Sequence, residues 1–350
     1  MKKTATYLIL YSSAHFFIDF TCAYLMFARV SGSSQFALML FFYNFCAFAL
    51  QMPLGLVTDR LKRCGSLSAA GCLLLILSLL LPFGALPLTL AAGLGNALFH
   101  IGGGTGVLRF YPGRCTEPGI FVSTGAIGLY FGTIAGKPAF MPAWIPALVM
   151  AALFFLLLFQ SEERAPAEPA VGRQPKRPPS APDSVTTAPS IAFPFICLML
   201  VVCIRSYLGL ILKFDWKSQT PFGLILILAI VCGKALGGVL SDRFGSWRTV
   251  LVSLGASGVL FLLSGSPLPG IAAVLLFNMT MPITLTAFVR LLPGQQGFCF
   301  GLLTFALFLG FLPVALNAVP GGTSIVLYAA LAFLSLLLMA AAWKNRRWDR

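Results

Sequence analysis

The sequence predicts an all-α membrane protein, with twelve transmembrane helices in two pseudo-symmetric six-helix halves. Composition is the first reason: 58% of the residues are hydrophobic, 10% are charged, and the mean hydropathy is +0.91. Soluble domains carry about 25% charge, so this chain is solvated mainly by lipid. The second is length, since apolar runs of about 18 residues or more, enough to cross a hydrocarbon layer of roughly 30 Å, recur throughout. The third is a repeat. Gly55-Leu-Val-Thr-Asp59-Arg60-Leu-Lys62-Arg63 closes one apolar run, and Gly238-Val-Leu-Ser-Asp242-Arg243-Phe-Gly245-Ser-Trp-Arg248 closes another 183 residues later.

Taken in order, the first half places helices at about 5–28, 35–57, 66–86, 88–108, 118–137 and 140–160. The second places them at about 192–212, 221–241, 247–265, 269–289, 296–317 and 322–343. Met1-Lys2-Lys3 before an apolar run resembles the start of a signal peptide. The run continues through His15 and Asp19 to Phe27 without a clear A-x-A site, so it reads as the first helix. Between the halves, 161–190 holds seven Pro with Ala, Ser and mixed charge and cannot bury a core. The chain therefore divides into 1–160, a disordered linker at 161–190, and 191–350.

A net charge of +14 on a soluble chain would point to nucleic acid. Here the basic residues lie in short connections, and no nucleic-acid partner is expected. Of 24 basic residues, eighteen fall on the N-terminal side of the membrane, four on the other side, and two inside helices. The positive-inside rule then puts both termini and the linker in the cytoplasm, with the bacterial inner membrane as the expected location. Nine Cys are scattered without C-x-x-C, and no His stands near them at ligand spacing. They read as small packing residues, with neither a disulfide framework nor a metal site expected.

The repeat extends further. Asn96-x3-His100 with Arg109-Phe-Tyr-Pro112 is echoed by Asn278-x3-Pro282 with Arg290-Leu-Leu-Pro293. Two six-helix halves related by an axis along the membrane normal are a known transporter plan.

On these residues the chain resembles the major facilitator superfamily. That family carries a G-x3-D-R-x-G-R-[RK] signature after its second helix, often with a weaker copy after the eighth. Gly55, Asp59, Arg60 and Arg63 match the first copy, with Lys62 in place of the second Gly and Cys64 at the last basic position. Gly238, Asp242, Arg243 and Gly245 match the second, with Ser246 next and Arg248 later. Gly93-Leu-Gly-Asn-Ala-Leu-Phe99-His100 also resembles the fourth-helix stretch of fosmidomycin-resistance-type exporters. Those continue with a Pro and an acid, where this chain has Ile101-Gly102-Gly103-Gly104. The resemblance implies the major facilitator fold and a central cavity lined by helices 1 and 7.

Charge inside a membrane costs at least a few kcal/mol per residue and usually marks function. Asp19 is the one intramembrane acid, four residues from His15 and so on the same helix face. Arg205 occupies a similar depth in the matching helix of the second half, and an Asp19–Arg205 approach across the cavity is expected. The alternative for these charges is a static ion pair or a hydrogen-bonded core. Lys234 stands eight residues before Asp242, as Gln51 stands eight before Asp59. Two cations against one acid favour an organic anion, because Arg offers a fork and Lys a point charge. Lys234 snorkelling to the interface is the plainer alternative.

His100 shares a face with Asn96 and can relay protons or donate to a solute; a His satisfied by a neighbouring helix is the alternative. Asn44, Gln51 and Asn278 are further candidates that can equally serve only to join helices. Gly125, Gly128, Gly132 and Gly136 favour close helix packing, and Gly132–Lys137 lacks the spacing of a P-loop.

Gly55, Asp59, Arg60 and Arg63, with Gly238, Asp242, Arg243 and Arg248, are expected to form a cytoplasmic latch. In it Asp59 faces a helix N-terminus or a base. The function these residues imply is secondary active transport of a small solute by alternating access, coupled to protons and directed to efflux. Metabolite uptake and a non-transporting sensor on the same fold are the alternatives. No cofactor and no enzyme activity are expected: neither H-E-x-x-H nor a Ser, His and acid grouping is present. A monomer in the lipid bilayer, binding a small molecule and protons, completes the expectation.

Overall fold

A computed structural model describes residues 2–137, 141–160, 191–319 and 324–344. The expected linker, 161–190, lies outside the described residues. Among them are a short 3-10 turn at Asp215–Ser218 and twelve helices of 15 residues or more. In the first half these are α1 (Ala5–Val30), α2 (Phe36–Leu61), α3 (Cys64–Leu80), α4 (Ala85–Phe110), α5 (Thr116–Gly136) and α6 (Trp144–Leu158). In the second they are α7 (Ala192–Ile211), α8 (Phe222–Phe244), α9 (Ser246–Leu262), α10 (Pro267–Leu291), α11 (Gln296–Ala315) and α12 (Ile325–Trp343). Nine are long and apolar enough to cross a membrane; α3, α6 and α9 are shorter apolar helices of 10–17 residues. At 1.5 Å per residue a 17-residue helix extends about 25 Å, just short of the hydrocarbon layer. The chain is an integral, multi-pass membrane protein.

The pairings repeat between halves. In the first half α3 packs on α4 and α6, and α1 on α5; in the second α9 packs on α10 and α12, and α7 on α11. The halves meet along two seams, α2 against α11 and α5 against α8. Large apolar side chains such as Ile9, Leu148, Val252 and Leu337 point outward and are exposed. In water they would be a liability; in lipid they are the solvent-facing surface. All nine cysteines are free thiols.

Local chemistry explains how the helices end. Arg29, at the end of α1, donates to the carbonyls of Ser78 (2.8 Å) and Leu81 (3.1 Å), capping α3. Lys62 ends α2 with φ +55°, and Gly245, its counterpart in the repeat, ends α8 with φ +92°. Both positions take a positive φ, Lys62 in the left-handed helical region and Gly245 with an extended ψ of 144°. Lys62 does so at a cost of roughly 1–2 kcal/mol relative to a right-handed conformation, which is the structural content of the departure from the family signature. Within α10 the helix is interrupted at Met279, between Asn278 and Thr280. Pro282 accounts for this, since it offers no N–H to the Asn278 carbonyl and its ring crowds the preceding turn.

Candidate functional site

The polar groups of the two halves separate into two clusters. In the first half, His15 and Asp19 stand one turn apart on α1, and Asn96 and His100 one turn apart on α4. Asn96 Nδ2 donates to Asp19 Oδ1 at 3.0 Å. Asp19 Oδ2 lies 3.3 Å from His15 Nε2, and Oδ1 lies 3.6 Å from His100 Nε2. The imidazoles meet edge to face, with their Nε2 atoms 2.8 Å apart.

The outer edges of both rings are fixed. His15 Nδ1 contacts the Phe121 carbonyl at 2.7 Å and His100 Nδ1 the Asn96 carbonyl at 2.9 Å. A carbonyl only accepts, so each Nδ1 carries a proton. In the neutral rings the two Nε2 lone pairs then face each other and the Asp19 carboxylate. Contact at 2.8 Å requires a cation between them, and a single proton is the smallest. The side chain of Asp19 keeps 19% exposure, against 6% for His15 and 10% for His100, so the carboxylate is the open edge of the cluster. A Cβ on Gly125 of α5 would collide with Asp19 Oδ2 and His15 Nε2, which shows how closely α5 covers it.

The second half holds the cations. Arg205 on α7 is buried and donates through Nη2 to Thr280 Oγ1 (2.7 Å), with both Nη atoms near Thr284 Oγ1 (3.3 and 3.4 Å). The break at Met279 presents Thr280 to it. Arg205 Nε is buried and lacks a hydrogen-bond partner, an omission that costs about 1–3 kcal/mol. Lys234 on α8 donates to the Val122 carbonyl of α5 at 3.2 Å, across the seam between the halves. Among the described residues no carboxylate lies within ion-pair distance of Arg205 or Lys234.

The expected Asp19–Arg205 approach is not made in this structure. Asp19 is satisfied by the imidazoles and amide of its own half and Arg205 by the hydroxyls of its own. The polar residues expected to support the site also divide. Asn96 and His100 join Asp19, whereas Asn44, Gln51 and Asn278 each donate to the carbonyl four residues back, of Leu40, Ala47 and Val274. No metal site was expected from the sequence, yet one group has the residue types for it. His15, Asp19 and His100 bring their ligand atoms within 4.8 Å of one another, an arrangement made by folding two helices together and invisible in linear spacing.

The signature residues form two matched contacts between the halves. Asp59 accepts from the backbone N–H groups of Gly297 and Phe298 at the start of α11, both at 2.8 Å. Asp242 accepts from those of Cys115 (2.8 Å) and Thr116 (2.9 Å) at the start of α5, and from Thr116 Oγ1 (2.6 Å). Each carboxylate thus caps a helix N-terminus of the opposite half, where unpaired N–H groups and the helix dipole favour negative charge. Gly55 and Gly238 allow the approach: a Cβ at either would collide with the backbone carbonyl of Gly297 or Cys115.

Arg60, Arg63, Arg243 and Arg248 lie exposed outside these contacts. Arg109, which the sequence marks as part of the repeat but not as a latch residue, pairs with Asp59 at 3.0 Å. Arg114 pairs with Glu117 at 3.0 Å and lies 3.7 Å from Asp242. Arg109 was findable from its place in the repeat with Arg290; Thr280, Thr284 and Gly297 carry no charge and gave no signal.

No family model matches the chain, and no curated protein matches it by sequence. Solved structures do. A point variant of the E. coli fucose:proton symporter FucP is similar at 11% identity and a TM-score of 0.64, over 98% of this chain and 99% of that one. FucP, described as a major facilitator superfamily transporter in the outward conformation, is similar at 11% identity and 0.64, over 97% and 98%. With the paired halves and the two matched seams, this likeness over nearly the full length of both chains shows that the protein has the major facilitator fold.

Proposed function

We propose that the protein is a secondary active transporter that moves a small organic anion by alternating access. The observation that carries this is the division of charge: a buried Arg205 with an unpartnered Nε in one half, and an acid with two imidazoles in the other. Arg205 and Lys234 hold the anion, the first by its fork and the second as a point charge. Gradient energy enters as a cation, a proton in the simplest case, at Asp19, His15 and His100. The short helices α3, α6 and α9 complete twelve spans by tilting little or by local thinning of the bilayer.

Asp59 and Asp242 latch the halves at the cytoplasmic rim, supporting the outward-facing state. Each accepts two N–H groups, and hydrogen bonds to a charged group contribute about 1.5–3 kcal/mol each. Such contacts must break for the halves to rock about the central site.

Efflux by antiport requires the cation and the solute to compete, as an Asp19–Arg205 pair would have arranged. One observation favours the second reading, uptake by symport: Asp19 and Arg205 each find their partners within their own half, so both can be filled in one state. FucP is itself a proton symporter by its description.

Purified protein in proteoliposomes, offered a panel of carboxylates, phosphonates, sugars and organic cations with and without a pH gradient, tests the reading. Saturable anion flux is expected, inward with protons for symport or against them for efflux. A strict preference for cations, or no flux of any solute, would contradict it.

A further inference from the structure

The first-half cluster has the parts of a divalent transition-metal site. Both Nε2 atoms and the Asp19 carboxylate converge on one point, a two-histidine, one-carboxylate set that leaves coordination positions open. The surrounding bonds match what such sites need. A metal-ligating imidazole donates its other ring N–H to a carbonyl or carboxylate, and a ligating carboxylate is itself hydrogen-bonded. Here His15 Nδ1 has the Phe121 carbonyl, His100 Nδ1 the Asn96 carbonyl, and Asp19 Oδ1 the Asn96 amide. Every ligand is oriented from behind, and all three lone pairs are directed inward.

The spacing fits as well. Ligands about 2.0–2.1 Å from a tetrahedral zinc stand about 3.3 Å apart. The two Nε2 atoms stand 2.8 Å apart, His15 Nε2 lies 3.3 Å from Asp19 Oδ2 and His100 Nε2 lies 3.6 Å from Asp19 Oδ1. With one oxygen taken from Asp19 the three ligand atoms lie within 4.8 Å of one another, so the imidazoles part by about half an ångström and the carboxylate turns one oxygen towards both. Access runs along Asp19, the most exposed of the three. The groups facing the carboxylate from neighbouring positions are Cys22 on α1, Tyr43 on α2 and, across the seam, Lys234 on α8. Lys234 opposes a second positive charge, which sets the affinity below that of an all-anionic site.

We propose that His15, Asp19 and His100 bind one divalent transition-metal ion of the zinc, cobalt or nickel type, in the place otherwise taken by the coupling proton, with Asn96 as the positioning residue. This rests on reading the cluster as the cation site of a transporter, but its test is independent of flux.

Co2+ titration of the full chain in detergent, purified through a tag without histidine, reads the site by its visible absorption bands. One Co2+ per chain, displaced by Zn2+, is expected. Asp19→Asn and His100→Gln should each weaken binding by at least about 100-fold, and Asn96→Ala by about 10–100-fold. Gly125→Ala keeps all three ligand side chains but its Cβ pushes Asp19 Oδ2 and His15 Nε2 aside, and should weaken binding as well. Thermal unfolding of each variant identifies any that fail to fold, and Asn96→Ala and His100→Gln then carry the test. Absence of saturable binding, or binding unchanged in folded His100→Gln, would overturn the proposal. Solute flux without Co2+ binding would overturn the metal site while leaving the transporter; Co2+ binding without solute flux would do the reverse.

Discussion

In the first half, α1 and α4 bring a carboxylate, an amide and two imidazoles together. In the second, the corresponding α7 and α10 bring together a guanidinium and two threonine hydroxyls. The helices pair in the same way on both sides and the rim contacts match nearly atom for atom, with Asp59 on the start of α11 and Asp242 on the start of α5. The repeat has kept its mechanics and divided its chemistry. On the proposed function, shared backbone geometry serves the motion common to both halves, while the intramembrane side chains differ because one half would hold a cation and the other an anion.

The largest effect expected from breaking this division lies at Arg205. Arg205→Gln removes the fork and its charge, and solute affinity should fall about 10–100-fold, the equivalent of one or two hydrogen bonds to a charged group. Isothermal titration of solute into detergent-solubilised protein checks this. Unchanged affinity would mean that Arg205 is a structural partner of Thr280 and Thr284 alone.

A smaller effect is expected at the rim. Asp59→Asn and Asp242→Asn keep a side-chain acceptor but lose its charge, and initial flux should fall several-fold with solute affinity intact. Asp59 should be the more sensitive, since it also holds Arg109 at 3.0 Å whereas Arg114 stands 3.7 Å from Asp242. Initial rates and binding measured side by side check both statements. Lost affinity would move these residues from the latch to the solute site.

How much of this could be read from the sequence follows from what each feature depends on. The helices, the two halves and the rim aspartates were legible because hydropathy and a repeated Gly-x3-Asp-Arg are local patterns. Lys62 was legible as a departure, but not as a residue held at positive φ where the other half has Gly245. His15, Asp19, Asn96 and His100 were each visible as rare intramembrane polar residues. Their union was not, because it depends on how α1 and α4 rotate against each other. The expected Asp19–Arg205 pair is not made in this structure for a related reason: a count of charges cannot show that groups nearby, the Asn96 amide and two imidazoles with the cation they share on one side and two threonines on the other, meet each charge first. Thr280 and Thr284 were hidden because threonine is ordinary in a membrane helix.

The central claim is that the cation and the anion are held by different halves. Solute exchange at equal concentrations, measured against gradient-driven accumulation in the same proteoliposomes, tests it most directly in Asp19→Asn. Exchange needs the anion site and the motion; accumulation also needs the cation site. The account predicts that Asp19→Asn continues to exchange solute and no longer accumulates it. Loss of both in a folded variant, or accumulation undiminished, would contradict it.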